Sequence, residues 1–171
     1  MNIIIRPEVP SDTTAITALT VAAFLNAPHT SHTEHLIVNA LRSSGNLTIS
    51  LVAEVEGKIV GHVAVSPVSI SDGSQGWYGL GPISIVPDSQ RAGIGSQLMR
   101  QAIVTLRELG ASGCVVLGEP EYYSRFGFKA EPNLVLPHVP PEYFQAISFD
   151  APIPTGLVSY HESFNVQNES G

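Results

Sequence analysis

Two short runs of the chain carry residue types suited to chemistry on a charged small molecule. The first is Pro87-Asp88-Ser89-Gln90-Arg91-Ala92-Gly93-Ile94-Gly95, between the apolar run Ile83-Ser84-Ile85-Val86 and an amphipathic stretch that begins at Ile94. A strand-to-helix junction of this kind presents backbone N–H groups without intrahelical acceptors at the positive end of the helix dipole, and such junctions hold anions. Gly93 and Gly95 remove side chains that would keep a diphosphate from the backbone. The run lacks the Lys-Ser/Thr pair of a P-loop and the third glycine of the dinucleotide fingerprint, which disfavours a nucleoside triphosphatase or a nicotinamide dehydrogenase. The second run is Gly118-Glu119-Pro120-Glu121-Tyr122-Tyr123-Ser124-Arg125-Phe126-Gly127-Phe128. It offers two phenols that stay protonated at neutral pH and an arginine suited to phosphate oxygens.

Two further groups attract notice and lose it. His29, His32 and His35 recur every third residue beside Glu34, and on a helix that spacing would turn two imidazoles toward a metal ion. Pro28 and the Thr/Ser-rich surroundings favour a loop instead, so no metal is expected. Cys114 opens the fully apolar run Cys114-Val115-Val116-Leu117 with no basic neighbour in sequence. An inert buried thiol is expected there, not a nucleophile. As the sole cysteine it excludes an internal disulfide and a cysteine-based metal cage.

The elements that must position these residues follow from patterning. Ile3-Ile4-Ile5-Arg6 reads as a short strand ended by Pro7. Ser11-Asp12 caps a helix running to about Leu25 that buries Ile16, Leu19 and Phe24. A second helix, about Thr33 to Ser43, buries Leu36, Ile37 and Leu41. Strands over about 48–55 and 59–70 form an antiparallel hairpin through Glu56-Gly57-Lys58, and Trp77 to Val86 is the next strand. The long helix from Ile94 buries Ile94, Leu98, Ala102, Leu106 and Leu109, with Gly110 as its C-terminal cap. Cys114 to Leu117 is then a strand covered on both faces, which completes a βαβ unit. A short helix over about 119–126 ends at Gly127, Phe128 opens another strand, and Gly156 to Tyr160 is the last. A single domain over 1–165 with a loose tail at 166–171 is expected.

Composition bounds the partners. The chain has 171 residues, 43% of them hydrophobic, and a formal net charge of −7, which argues against nucleic acid. Of its 8 basic residues, Arg91, Arg100, Arg107, Arg125 and Lys129 fall in one stretch against only Glu108, Glu119 and Glu121. That local excess of positive charge suits a polyanionic small ligand, although a few solvated arginines on a helix face would look the same. No apolar run reaches the roughly 18 residues of a membrane span. Met1-Asn2-Ile3-Ile4-Ile5-Arg6-Pro7 lacks the features of a signal peptide. A cytoplasmic protein with no membrane partner is expected.

Gln90-Arg91-x-Gly93-x-Gly95 resembles the acyl-CoA signature of the GNAT N-acetyltransferases, and Tyr122 to Phe128 resembles that family's Tyr-x-x-x-Gly-Phe element. The two are separated by a helix and a strand, as in the family, and the nearest flavour is a small bacterial branch with Gly-Glu/Asp-Pro-x-Tyr-Tyr before Arg-Phe-Gly-Phe. The resemblance covers roughly residues 3–131. The commoner family pattern has an Asn where Gly118-Glu119 stand here, so a pantetheine contact from that side chain is not carried over. The resemblance implies an α/β (α+β) fold: a mixed, mostly antiparallel sheet with a central parallel βαβ unit and helices on both faces. It implies acetyl-CoA as co-substrate and no metal.

The strand carrying Ile83, Ile85 and Val86 is then expected to splay from Val115-Val116-Leu117, with pantetheine filling the gap. Pro82, which cannot donate a ladder hydrogen bond, fits disturbed pairing there, and also fits a bulge without a ligand. The amide of Ile85 or Val86 would hold the oxyanion of the tetrahedral intermediate. The turn at Gln90 and the amides of Arg91, Ala92, Gly93, Ile94, Gly95 and Ser96 would take the diphosphate, joined by the side chains of Arg91 and Arg125. Phe126 completes the cofactor-binding set, to which Tyr123 also belongs. Tyr123 is the expected general acid for the leaving thiolate, tyrosine having a reference pKa of about 10 and a cysteine-like thiol about 8.5.

The expected activity is direct transfer of acetyl, without an acetylated cysteine, to a primary amine of a small acceptor. Glu34, His32 and His62 are candidates for the base that deprotonates the amine, and a water chain is equally open. A function of another class stays open beside it: a catalytically inactive CoA-binding sensor or interaction module. Either a monomer or a homodimer built on the late strand near 156–160 is compatible with the sequence.

Overall fold

The computed structural model describes residues 2–27, 30–90 and 92–166. Its elements are β1 (Ile3–Pro7), α1 (Thr13–Phe24), α2 (Glu34–Ser43), β2 (Ile49–Val55), β3 (Lys58–Ile70), β4 (Trp77–Ile85), α3 (Ile94–Glu108), β5 (Gly113–Leu117), α4 (Pro120–Tyr123), β6 (Leu134–Val135), β7 (Phe144–Ser148) and β8 (Gly156–Tyr160). The main path of the sheet runs β1-β2-β3-β4-β5-β7, and β8 pairs with the far end of β3 and with β6. The β4–β5 pair is parallel and its flanking pairs are antiparallel. The mixed, mostly antiparallel sheet expected from the sequence is therefore present.

Alternation along β2 and β3 gives each face of the sheet its own core. Ile49, Leu51 and Ala53 of β2 and Val63 and Val65 of β3 pack with Ile94, Leu98, Met99, Ala102 and Leu106 of α3 on one face. Val52 and Ala64 point the other way, onto Ile16 of α1 and Val38 of α2. The period of two in the strands and of 3.6 in the helices thus places helices on both faces. The β2–β3 hairpin closes through Glu56 and Gly57, with φ of 52° and 80°, the left-handed pair that a tight hairpin turn demands. Past Leu109, the amides of Gly110 and Ala111 bond back to the carbonyls of Arg107 and Leu106, the paired closure that ends a helix.

The departures lie mostly toward the C-terminus. Phe128 does not open a strand; only a single bridge, Lys129 with Ala146, forms there. The helix expected over 119–126 is one α-turn followed by a 3-10 turn over Ser124–Phe126. The edge strand β7, unforeseen, lies antiparallel to β5 from Gly113↔Ser148 to Leu117↔Phe144. Leu109, expected to be buried, is exposed at the end of α3, and Phe24 is only half-buried. Of the expected tail, residues 167–171 lie outside the described residues.

Candidate active site

The site begins where β4 and β5 part. They pair only through Trp77↔Gly113, Tyr78↔Cys114 and Gly79↔Val115. Beyond Gly79 an extra residue enters β4: Val65 faces Leu80 but Val63 faces Ile83, so the Gly81-Pro82 step is bulged against β3. A bulge bends its strand, and β5 continues instead along β7. The predicted splay is present, with Pro82 inside it. Val86 N–H donates to the Val60 carbonyl at 2.9 Å. Backbone groups in an antiparallel ladder alternate sides, so the amides of Ile83 and Ile85 face away from β3, toward the gap. The sequence offered Ile85 or Val86 as oxyanion donor. Val86 is committed to the sheet, which leaves Ile85.

Two cavities line this free edge. The larger, about 540 Å³, is walled by α1, α2, the bulge, the tip of β5, Tyr123, Tyr160 and Phe164. The smaller, about 250 Å³, lies against Gln90, Gly95, Tyr122 and Ile85. Both share Phe24 and Ile83 as walls. The two cavities therefore flank one stretch of β4, between the start of α3 and Tyr123. Phe24 is half-buried because it forms that wall instead of entering the core.

At the start of α3, Gly93 is the N-cap with φ 80°, a left-handed conformation that a β-carbon would strain. The first i→i−4 bond among the described residues runs from Gln97 N–H to the Gly93 carbonyl at 3.2 Å, so the amides before it point outward along the axis. Ile94 sends its side chain into the core and offers only backbone here. Ala92 is exposed, and Gly95 and Ser96 are half-buried. Gln90 ties the turn down, its Nε2 donating to the Ile85 carbonyl at 3.2 Å. At Gly95 a β-carbon would stand 3.2 Å from the Tyr122 hydroxyl. Arg91 lies outside the described residues.

Tyr123 is set by its neighbours. Its ring lies over Gly118, where a β-carbon would come within 2.5 Å of Cε2. Gly118 is held from both sides, its N–H donating to the Tyr143 carbonyl at 2.9 Å and its carbonyl accepting from buried Gln145 Nε2 at 3.1 Å. Edge-on contacts to Tyr122 at 5.0 Å and Phe128 at 6.2 Å fix the ring plane. Burial pushes the Tyr123 phenol up to about 12, so it is protonated throughout the neutral range. Tyr122 carries the Arg125 guanidinium 4.9 Å above its ring, which holds that charge beside the smaller cavity. Phe126 stands between Tyr122, at 5.4 Å, and the Arg100 guanidinium, at 5.3 Å.

A family model for the acetyltransferase (GNAT) domain matches residues 46–130, the span from β2 to just past α4. YhbS of Escherichia coli (strain K12), described as an uncharacterized N-acetyltransferase, is 37% identical over 169 residues, covering 95% of this chain and 98% of YhbS. The chain belongs to the GNAT acetyltransferase family. Among solved structures, a GNAT family acetyltransferase from Brucella melitensis in complex with acetyl-CoA is 45% identical, with a TM-score of 0.86 and coverage of 95% of this chain and 98% of that one. The structure of E. coli YhbS in complex with CoA is 34% identical, with a TM-score of 0.85 and coverage of 97% and 93%.

Within this GNAT acetyltransferase the candidate bases separate. Glu34 lines the larger cavity. His32 sits on the exposed loop before α2. His62 is fully buried outside that lining, with Nε2 2.7 Å from Ser50 Oγ. Ser50 in turn donates to Glu8, which Arg42 grips with two hydrogen bonds of 2.8 and 2.9 Å. Burial brings the His62 imidazole down to about 4, and its Nδ1 has no partner among the described residues. His62 is a structural group. His29 lies outside the described residues, and His35 is on α2. Sequence reasoning missed Tyr160, Phe164 and Leu136 as cavity walls. Tyr160 had a signal only in retrospect: its ring covers Gly79, where a β-carbon would meet Cε1.

Proposed function

We propose that this acetyltransferase binds acetyl-CoA along the free edge of β4 and passes the acetyl group directly to a primary amine held in the larger cavity. The observation that carries the proposal is the pair of neighbouring cavities along β4, one against Gln90, Gly95 and Ile85 and the other against Tyr123, with Phe24 and Ile83 as shared walls. Acetyl-CoA and CoA in the Brucella and E. coli neighbours support it. The amides from Ala92 to Ser96 would take the diphosphate, with Arg125 and Arg91 adding charge. The Ile85 amide would hold the oxyanion as the amine nitrogen bonds to the carbonyl carbon. The amine attacks in its neutral form, its ammonium proton having gone to water. The C–S bond then breaks, the nitrogen loses its second proton to water, and the departing thiolate takes one from water.

Burial modifies the part expected of Tyr123. Full proton transfer from a phenol near 12 to a thiolate of ordinary pKa is uphill by about 5 kcal/mol. Tyr123 therefore acts chiefly as a hydrogen-bond donor to the sulfur as charge develops on it. Its replacement by Phe should lower kcat about 100-fold while leaving acetyl-CoA affinity within about threefold. Calorimetry with acetyl-CoA and thiol release against an amine panel test this directly. Tight binding without thiol release from any amine would mark a CoA-binding module instead, and unchanged kcat in Y123F would remove the phenol from the mechanism.

A further inference from the structure

We infer that the acceptor is a small apolar monoamine whose ammonium pairs with Glu34. This inference rests on the transfer proposed above and names the substrate class of the same site. The lining of the 540 Å³ cavity includes Phe24, Ile37, Leu117, Leu136 and Phe164, and its only charged side chain among the described residues is Glu34. The size lies within the roughly 300–1,000 Å³ typical of small-ligand sites. Walls of this kind favour an aryl or branched alkyl body, which gains by leaving water.

Glu34 is built to stay in place. Thr30 Oγ1 lies 2.7 Å from both carboxylate oxygens, and Ser31 adds its N–H at 3.2 Å and its hydroxyl at 3.1 Å. These donors orient the group without neutralising its charge, and its place in the first turn of α2 suits an anion. One carboxylate balances one ammonium. A second cationic centre, as in a polyamine or an aminoglycoside, would be stripped of water against apolar walls with no partner. The described lining also offers no cation for the carboxylate of a free amino acid.

The test measures thiol release from acetyl-CoA with 2-phenylethylamine and isoamylamine against spermidine, kanamycin and leucine. The apolar monoamines should show at least 10-fold higher kcat/KM. With Glu34 acting as the partner of the ammonium and water taking the proton, in E34Q the KM for 2-phenylethylamine should rise about 10- to 100-fold, the loss of one charge-assisted pair, with kcat within about threefold. An unchanged acetyl-CoA affinity in that variant checks that it is folded; if it is not, the panel with the wild-type protein decides alone. Spermidine, kanamycin or leucine ahead of the monoamines, or an unmoved KM in folded E34Q, overturns the substrate class and leaves the transfer reading standing. Release with no amine overturns both.

Discussion

Gly118→Ala should damage catalysis through Tyr123 alone, and a double-mutant cycle can show it. A β-carbon at 118 would stand 2.5 Å from Tyr123 Cε2, 3.3 Å from Cδ2 and 3.4 Å from Cζ. Ordinary carbon contacts lie at about 3.5–4.0 Å, so the ring must retreat by about 1 Å. Gly118 has little freedom to yield, because its N–H and carbonyl are both bonded to the β7 side of the sheet. A misplacement of about 1 Å at a reacting centre costs about 100-fold in rate. In steady-state thiol-release assays G118A should therefore lose most of what Y123F loses, and G118A/Y123F should be no slower than Y123F within about threefold. Calorimetry should find acetyl-CoA affinity little changed in all three, since Gly118 touches neither the α3 turn nor the Ile85 edge. Equal and multiplying losses in the two single variants would refute the claim that Gly118 acts by seating the phenol.

Further expectations follow from the charges. Because burial holds Tyr123 near 12, kcat should show no basic fall between about pH 7 and 10; a fall centred near pH 8–9 that disappears in Y123F would contradict that. His62 is brought down to about 4 from an ordinary 6.5, so on acidification the unfolded chain takes up this proton first. Its share of stability is intact above about pH 6.5 and is lost as the pH falls toward 4, about 2 kcal/mol of it between pH 7 and 5. Urea unfolding at those two pH values should show that loss in the wild type and a flatter response in H62Q; identical slopes would dismiss it. Burial alone would push Glu8 up, but hydrogen bonds from Arg42 and Ser50 bring it below its ordinary value, so its own loss comes at lower pH. Arg125→Ala should weaken acetyl-CoA binding about 10-fold and leave kcat at saturation within about twofold. Calorimetry showing unaltered affinity would free Arg125 from the phosphates.

The βαβ unit and its turn were legible because each rule agreed with the next. The 3.6-residue stripe on α3, the apolar β5 and the glycines at 93 and 95 all point to one junction. The splay was legible from Pro82 and the family resemblance together. The β7 strand was not. Phe144-Gln145-Ala146-Ile147-Ser148 shows no clean alternation because Gln145 is buried to bond the Gly118 carbonyl, a tertiary reason that no local pattern carries. The choice between the Ile85 and Val86 amides depended on ladder phase, which one hydrogen bond to Val60 sets. The walls of the larger cavity come from α1, α2, β8 and the segment after it, so their meeting follows from topology and not from any motif.

The least obvious link runs from Pro120 to the choice of phenol. Successive residues of a helix point about 100° apart, so neighbouring tyrosines on one turn must face different cavities. Tyr122 closes the smaller cavity beside Gly95, and Tyr123 looks into the larger one. Their rings meet edge-on at 5.0 Å. Which tyrosine faces the larger cavity is therefore a matter of where the turn starts. Pro120 starts it, being placed at the first helical position, where its fixed φ suits the helix and its missing N–H is not needed. Gly127, with φ 100°, stops the following 3-10 turn before it can extend. One residue inserted between Pro120 and Tyr122 would bring Tyr122 to the place that Tyr123 now holds. The Gly-Glu-Pro that replaces the commoner Asn is thus a positioning device: Gly118 makes room for the phenol, and Pro120 aims it.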